Sequence, residues 1–273
     1  SMILMMSIIM MMWKLNFYST LYMNYNLILI MNLSLLLKMG MAPVHFWFPE
    51  VLEGLSWNKC MLMLTWQKIT PMVLLMYNMK FNLFFSIIII SGVTISSMMS
   101  MNQVSIRKMM VYSSINHMSW MLMSMMLEKT IWILYFIIYS IITLNICLML
   151  KNIFYLNQLF PMLNINPNMK MFFMLNFMSL SGIPPFLGFL PKWMVIQTMI
   201  ENNMFMLTII MIAFTLIMIY VYMRITMTSL IMNLNQTLWM LKLSLKMNQM
   251  TISLINFISM MSIFLVTIML NMI

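Results

Sequence analysis

Only 7% of the 273 residues are charged against 64% that are hydrophobic, and the mean hydropathy is +0.98. A soluble domain carries about 25% charged residues, so fourteen basic and four acidic side chains cannot cover a water-facing globule of this length. The net charge of +10 does not indicate nucleic acid, because the basic residues are scattered singly and no cluster can track a phosphate backbone.

Apolar stretches near 20 residues, each able to cross a hydrocarbon core of about 30 Å, predict an all-α membrane protein. About nine spanning segments form a single domain over residues 1–273. The first, about 2–13, begins abruptly at Ser1, without the basic region or cleavage site of a signal peptide. The second, about 26–48, holds Lys38 in Leu37-Lys38-Met39-Gly40-Met41-Ala42-Pro43, where it is either deep or snorkelling to the interface. It ends in His45-Phe46-Trp47-Phe48-Pro49, which reads as an interfacial aromatic belt with a structural histidine.

The third segment, about 57–78, contains Lys68, about 16 Å beyond Trp57 at 1.5 Å per residue and therefore too deep to snorkel easily. Pro71 has no N–H for the Gln67 carbonyl, which predicts a helix broken beside the lysine. Broken backbone at that depth is tolerated where it lines a wet cavity or lies within protein. An ionisable residue in a span costs about 2.5–3.5 kcal/mol and asks for a function.

Segments at about 81–101, 106–127 and 130–150 follow. Lys108 opens the second of these beside Arg107. A basic pair starting a helix commonly anchors it, although Tyr112, Ser113, Ser114, Asn116 and His117 make this helix polar enough to hold a water chain. Histidine ordinarily titrates near neutrality, so His45 and His117 are both candidate proton relays. Residues 151–169, with Asn, Gln and two prolines, read as a long polar-leaning connection.

The seventh segment, about 170–199, is too long for one straight span. Pro184, Pro185, Pro191, Gly182 and Gly188 near its centre predict a discontinuous helix with Lys192 beside the gap. The eighth covers about 204–227 and the last about 251–271. Between them, 228–249 reads as an interfacial stretch carrying Trp239, Lys242 and Lys246. Glu50, Glu53, Glu128 and Glu201 all fall at segment ends or in loops, so no buried acid is expected. Cys60 and Cys147 have no metal-type spacing. No Gly-rich phosphate loop or cysteine cluster is present, so no cofactor or metal is expected on this chain.

There are 47 methionines against two alanines, Ala42 and Ala213. Residues with AT-rich codons are enriched, as in mitochondrial genes that read ATA as Met. Methionine fills core gaps much as leucine does, so the fold tolerates the drift.

Four motifs carry a resemblance: Lys38-x-Gly-x-Ala-Pro-x-His-Phe-Trp-Phe-Pro-Glu50 with Thr65-Trp-Gln-Lys-x-x-Pro71; Asn102-Gln-x-x-x-Arg-Lys108; Tyr112-Ser-Ser-Ile-x-His117; and Ser181-Gly-Ile-Pro-Pro-x-x-Gly-Phe-Leu-Pro-Lys-Trp193. In order and spacing these resemble the NADH–ubiquinone oxidoreductase chain 2 family, in its arthropod form. That family belongs to the antiporter-like membrane subunits of respiratory complex I. The resemblance implies an inverted-repeat fold with two broken helices. It matches Lys68 and Lys192 to the lysines of those helices, and Lys108 to the lysine joining two half-channels.

It further implies proton conduction through these three lysines in step with NADH-to-ubiquinone electron transfer, supported by Tyr112, Ser113, His117 and Lys38. NADH, FMN, iron–sulfur clusters and ubiquinone are then handled elsewhere in the complex. The implied partners are other membrane-arm subunits and lipid, in the mitochondrial inner membrane. Animal members of the family resemble an eleven-helix chain with an essential membrane glutamate near the N-terminus, so two leading helices are expected to be missing here. A stand-alone cation/proton antiporter and a non-pumping structural subunit are the competing readings.

Overall fold

The computed structural model describes residues 5–6, 21–79, 83–150, 153–165 and 167–231. Residues 251–271, nearly all of the 2–13 segment and most of the 228–249 stretch, with Trp239, Lys242 and Lys246, lie outside the described residues.

The described chain is helical throughout. It contains no strand, only one isolated bridge between Ser105 and Tyr155. In chain order the helices are α1 (Leu21–Met39), α2 (Trp47–Gly54), α3 (Trp57–Leu64), α4 (Trp66–Asn78), α5 (Leu83–Ser100), α6 (Ile106–Leu127), α7 (Lys129–Met149), α8 (Leu156–Ile165), α9 (Pro167–Ser181), α10 (Phe189–Glu201) and α11 (Phe205–Ile231). Three of them, α5, α7 and α11, are long and apolar enough to cross a membrane alone. Each is about half buried, with one face on the bundle and one outward. On α11 the outward face is Phe205, Ile209, Ile212, Leu216 and Tyr220, and the inward face is Thr208, Met211, Thr215, Met218 and Tyr222. That is the 3.6-residue period of a helix placed between lipid and protein.

Helix α6 is built differently. It packs against α5, α7, α2 and α10, and nearly every side chain from Ile106 to Met125 is buried. Because α6 meets protein on all sides, it can carry Ser113, Ser114, Asn116, His117 and Ser119 where a lipid-facing helix could not. The serines bond back to their own helix, as Ser113 to Met110 and Ser114 to Val111, each at 2.7 Å.

Two interruptions share one construction. Gly40 (φ 70°) ends α1, Pro43 follows, and α2 begins seven residues after the glycine. Gly182 (φ 79°) ends α9, Pro184 and Pro185 follow, and α10 begins seven residues later. A glycine in the left-handed region closes the helix, and the prolines cannot continue it. The predicted continuous segment 26–48 is therefore two pieces. A third interruption falls at Thr65 (φ −117°, ψ −75°), between α3 and α4, and α4 runs on through Pro71. The connection 151–169 also differs from expectation, since it contains α8.

The bridge at Ser105 and Tyr155 pins the start of α6 to the start of α8, with Ile106 N donating to Phe154 O (3.1 Å) and Leu156 N to Val104 O (3.2 Å). Trp57 Nε1 donates to Ile153 O at 2.9 Å, which ties α3 to the same end of the bundle.

Candidate functional site

Lys68 lies three residues after the interruption at Thr65 and is 2% exposed. Its Nζ stands 5.5 Å from the centre of the Phe48 ring and 5.4 Å from that of Tyr139, and 3.5 Å from the Tyr139 hydroxyl. That hydroxyl in turn donates to the Leu64 carbonyl at 3.4 Å, beside the break. The aromatic faces supply electrostatic attraction that the missing water would otherwise provide. Among the described residues no carboxylate pairs with Lys68.

Lys192, 7% exposed, sits in the first turn of α10 and donates to the Ser181 carbonyl at 2.8 Å. The last carbonyls of α9 lack intrahelical donors, and a cation at a helix C-terminus is favoured by its dipole. The ammonium group thus bridges the gap between two half-helices. The turn is shaped for it: a Cβ at Gly182 would meet Lys192 Cδ and Nζ, both at 3.0 Å. Gly188 is tighter still, since a Cβ there would lie 1.8 Å from the Ser179 carbonyl oxygen.

Between the two lysines stands His117 on α6. Its Nδ1 is 3.0 Å from the Tyr135 hydroxyl, and its ring centre is 5.2 Å from that of Tyr139. The ring also lies near the Leu180 backbone, one residue before the carbonyl that holds Lys192. Both lysines lie within electrostatic reach of it. Lys68 with Tyr139, His117 with Tyr135 and Lys192 with the end of α9 are thus three buried polar links, an interrupted polar chain. Tyrosine hydroxyls and imidazole both donate and accept, whereas the Ser181 carbonyl only accepts.

Tyr135 and Tyr139 are absent from the sequence reading, although a signal existed. Tyr135, Tyr139 and Thr143 recur every four residues, a polar-tipped stripe on an otherwise apolar α7.

Lys108 stands at the start of α6, paired with an acid. It projects from the first turn of α6 to the half-exposed end of the bundle, where its Nζ is 2.7 Å from Glu53 Oε2. The bridge at Ser105 holds that turn at the surface, and α2 brings Glu53 to it. A pair this exposed contributes about 1 kcal/mol or less. Its neighbour Arg107 is buried instead, donating to the Glu53 carbonyl and stacking 4.2 Å from the Phe154 ring centre and 5.5 Å from that of Trp57. Arg107→Ala is expected to cost about 3 kcal/mol, because the Glu53 carbonyl loses its donor and two rings lose a packing partner. Lys108→Ala should stay within about 1 kcal/mol of the native protein. Thermal melting of both variants checks the contrast.

His45 is 1% exposed. Its ring stacks on Phe46 and contacts the edge of Tyr112, with Nδ1 3.2 Å from Pro43 O. Tyr112 is buried, and Ser113 is closed off by its bond to Met110. Lys38 is exposed in the last turn of α1, beside Gly40. No group of three or more metal-ligating side chains occurs among the described residues.

A family profile described as NADH:quinone oxidoreductase/Mrp antiporter, TM, matches residues 1–219. NADH-ubiquinone oxidoreductase chain 2 of Anopheles gambiae is 47% identical over 262 residues, covering 95% of this chain and 76% of that one. The protein of the same name from Aedes aegypti is 46% identical over 235 residues, covering 85% and 69%. The chain belongs to the NADH:quinone oxidoreductase/Mrp antiporter family.

Its fold is that of the family. A chain of respiratory complex I from Thermus thermophilus with bound Aureothin superposes with a TM-score of 0.68 at 19% identity, covering 74% of this chain and 49% of that one. The chain thus spans about half the length of that solved relative. Its interrupted pairs α1–α2 and α9–α10 are the parts of this antiporter-like bundle that lie beside Lys38 and Lys192.

Proposed function

We propose that this chain is a membrane-arm subunit of mitochondrial respiratory complex I, conducting protons through its buried lysines in step with NADH-to-ubiquinone electron transfer. The observation that carries this reading is a pair of buried amines, each beside a helix interruption, with Lys68 donating to the Tyr139 hydroxyl and Lys192 to the Ser181 carbonyl and with the buried His117–Tyr135 pair nearby in the same apolar bundle. Burying two amines with no paired carboxylate among the described residues is costly and gains nothing for a scaffold. For proton transfer it is useful, because a buried lysine amine can both take up and release a proton.

In this mechanism Lys68 and Lys192 each take up and release a proton, with the Tyr139 hydroxyl as the first acceptor beside Lys68, and water entering the bundle carries the proton across the spaces between Tyr139, His117 and Lys192. Lys108 is the third conducting lysine, joining the two half-channels from the end of the bundle beside Glu53, with Tyr112, Ser113, His117 and Lys38 supporting the path. Quinone reduction elsewhere in the complex drives the cycle by altering the charge that faces the first lysine. NADH, FMN, iron–sulfur clusters and ubiquinone belong to other chains of the complex. In this reading the helices form about nine spans, two outside the described residues, with proline-interrupted pairs lining the path. The other membrane-arm subunits are the chain's partners and the inner membrane its site.

Lys68→Met keeps the side-chain volume and removes the amine. Proton transfer through this chain is expected to fall about 10²-fold or more, the usual contribution of a positioned proton-transfer group. The measurement is the proton-to-electron ratio of the assembled variant complex in sealed vesicles. A wild-type ratio would refute the assignment of Lys68.

A further inference from the structure

At the end of the bundle that carries Lys108 lies a cavity of about 580 Å³, distinct from the lysine chain. It opens between the end of α5, the start of α8 and the last turns of α11. Asn102, Gln103, Asn157, Phe160, Tyr220 and Arg224 are among its walls. Arg224 is exposed, and among the described residues no carboxylate pairs with it. Asn102 and Asn157 are exposed as well, and neither side-chain amide is engaged with another described residue.

The depth of the cavity follows from helix geometry. Arg224 lies about 28 Å along α11 from Phe205 at 1.5 Å per residue, close to the full hydrocarbon thickness. The guanidinium group therefore stands at headgroup level. Its walls also include the apolar Phe160, Val221 and Ile225, and below Arg224 the outer face of α11 runs on toward the membrane interior with Leu216 and Ile212. The same end of the bundle holds Arg107 and Lys108, and Lys170 reaches the Leu230 carbonyl there at 3.4 Å. A planar fork of donors, two free amides and an apolar slope below them match a phosphodiester with acyl chains attached.

We infer that this cavity is a binding site for the headgroup of an anionic phospholipid, seated by Arg224 with Asn102 and Asn157. The inference needs only that the chain sits in a bilayer, so it stands or falls separately from the proton path. A free phosphate would use the same donors but not the apolar slope, which separates the two sources.

The test uses the intact complex containing this chain, reconstituted in phosphatidylcholine vesicles doped with a photoactivatable phosphatidylglycerol, with labelled peptides identified by mass spectrometry. Labelling is expected on peptides holding Met101 and Phe160. It should drop about fivefold in Arg224→Gln, the factor that one cation near an anionic headgroup contributes. Asn157→Leu, at an exposed position, is a second variant expected to weaken labelling if the arginine variant fails to assemble. A photoactivatable phosphatidylcholine should label these peptides weakly and equally in all variants. Equal labelling by both lipids, or labelling unchanged in both variants, would overturn the site. Displacement of the lipid label by inorganic phosphate would overturn the lipid assignment in favour of a soluble anion.

Discussion

Lys192→Met is expected to leave the complex assembled while proton transfer through this chain falls about 10²-fold or more. Methionine nearly matches the lysine stem in length and volume, so packing around α10 is kept. Two things are lost. The Ser181 carbonyl loses the donor held at 2.8 Å, which costs about 1–3 kcal/mol for a buried acceptor left unpaired. The far end of the polar chain loses its only group that can carry a full proton. The first effect lowers stability modestly, whereas the second stops the path. Native gels report the first and the proton-to-electron ratio reports the second. Lys192→Arg separates them further: it restores a donor to Ser181 but scarcely releases its proton, so assembly should recover without conduction. Normal pumping in Lys192→Met would remove Lys192 from the mechanism.

Gly188→Ala is expected to be the most damaging small substitution in the described chain. Its methyl group would lie 1.8 Å from the Ser179 carbonyl oxygen and 3.0 Å from the Ser179 carbonyl carbon. Both are backbone atoms, so no side chain can swing aside. The end of α9 must move away from α10, and the Ser181 carbonyl moves with it. Overpacking of this kind costs about 1–3 kcal/mol, and more where backbone is displaced. Gly54→Ala is the matched control, because a Cβ there meets nothing within 4 Å. That variant should stay within about 0.5 kcal/mol of the native chain. Thermal melting and yield of assembled complex distinguish the two; equal stability would show that the turn at Gly188 yields easily.

The long elements were legible because each is bounded by local chemistry. The runs forming α5, α6, α7 and α11 are uninterrupted by proline and flanked by Asn, Lys or Glu, and observed bounds fall within a few residues of those predicted. The double proline and two glycines announced the gap before Lys192. The same signal at Gly40 and Pro43 was hidden in a longer apolar run that could pass for a single span. At Lys68 the proline was visible, but the helix gives way at Thr65, upstream of it. A proline disturbs the turn that precedes it, and the residue that yields depends on what packs there.

Membrane residence and the two buried lysines followed from composition, segment length and helix-breaking residues. These properties act within a few residues along the chain, so they can be read without knowing its path. Partners could not. Lys108 meets Glu53, 55 residues earlier, because α2 packs on α6, while His117 meets Tyr135 because α7 packs on α6. The four-residue spacing of Tyr135 and Tyr139 marks a stripe on α7, but only the packing turns that stripe inward. A proton path depends on distances of a few ångströms between helices, and only the way the helices pack sets those distances.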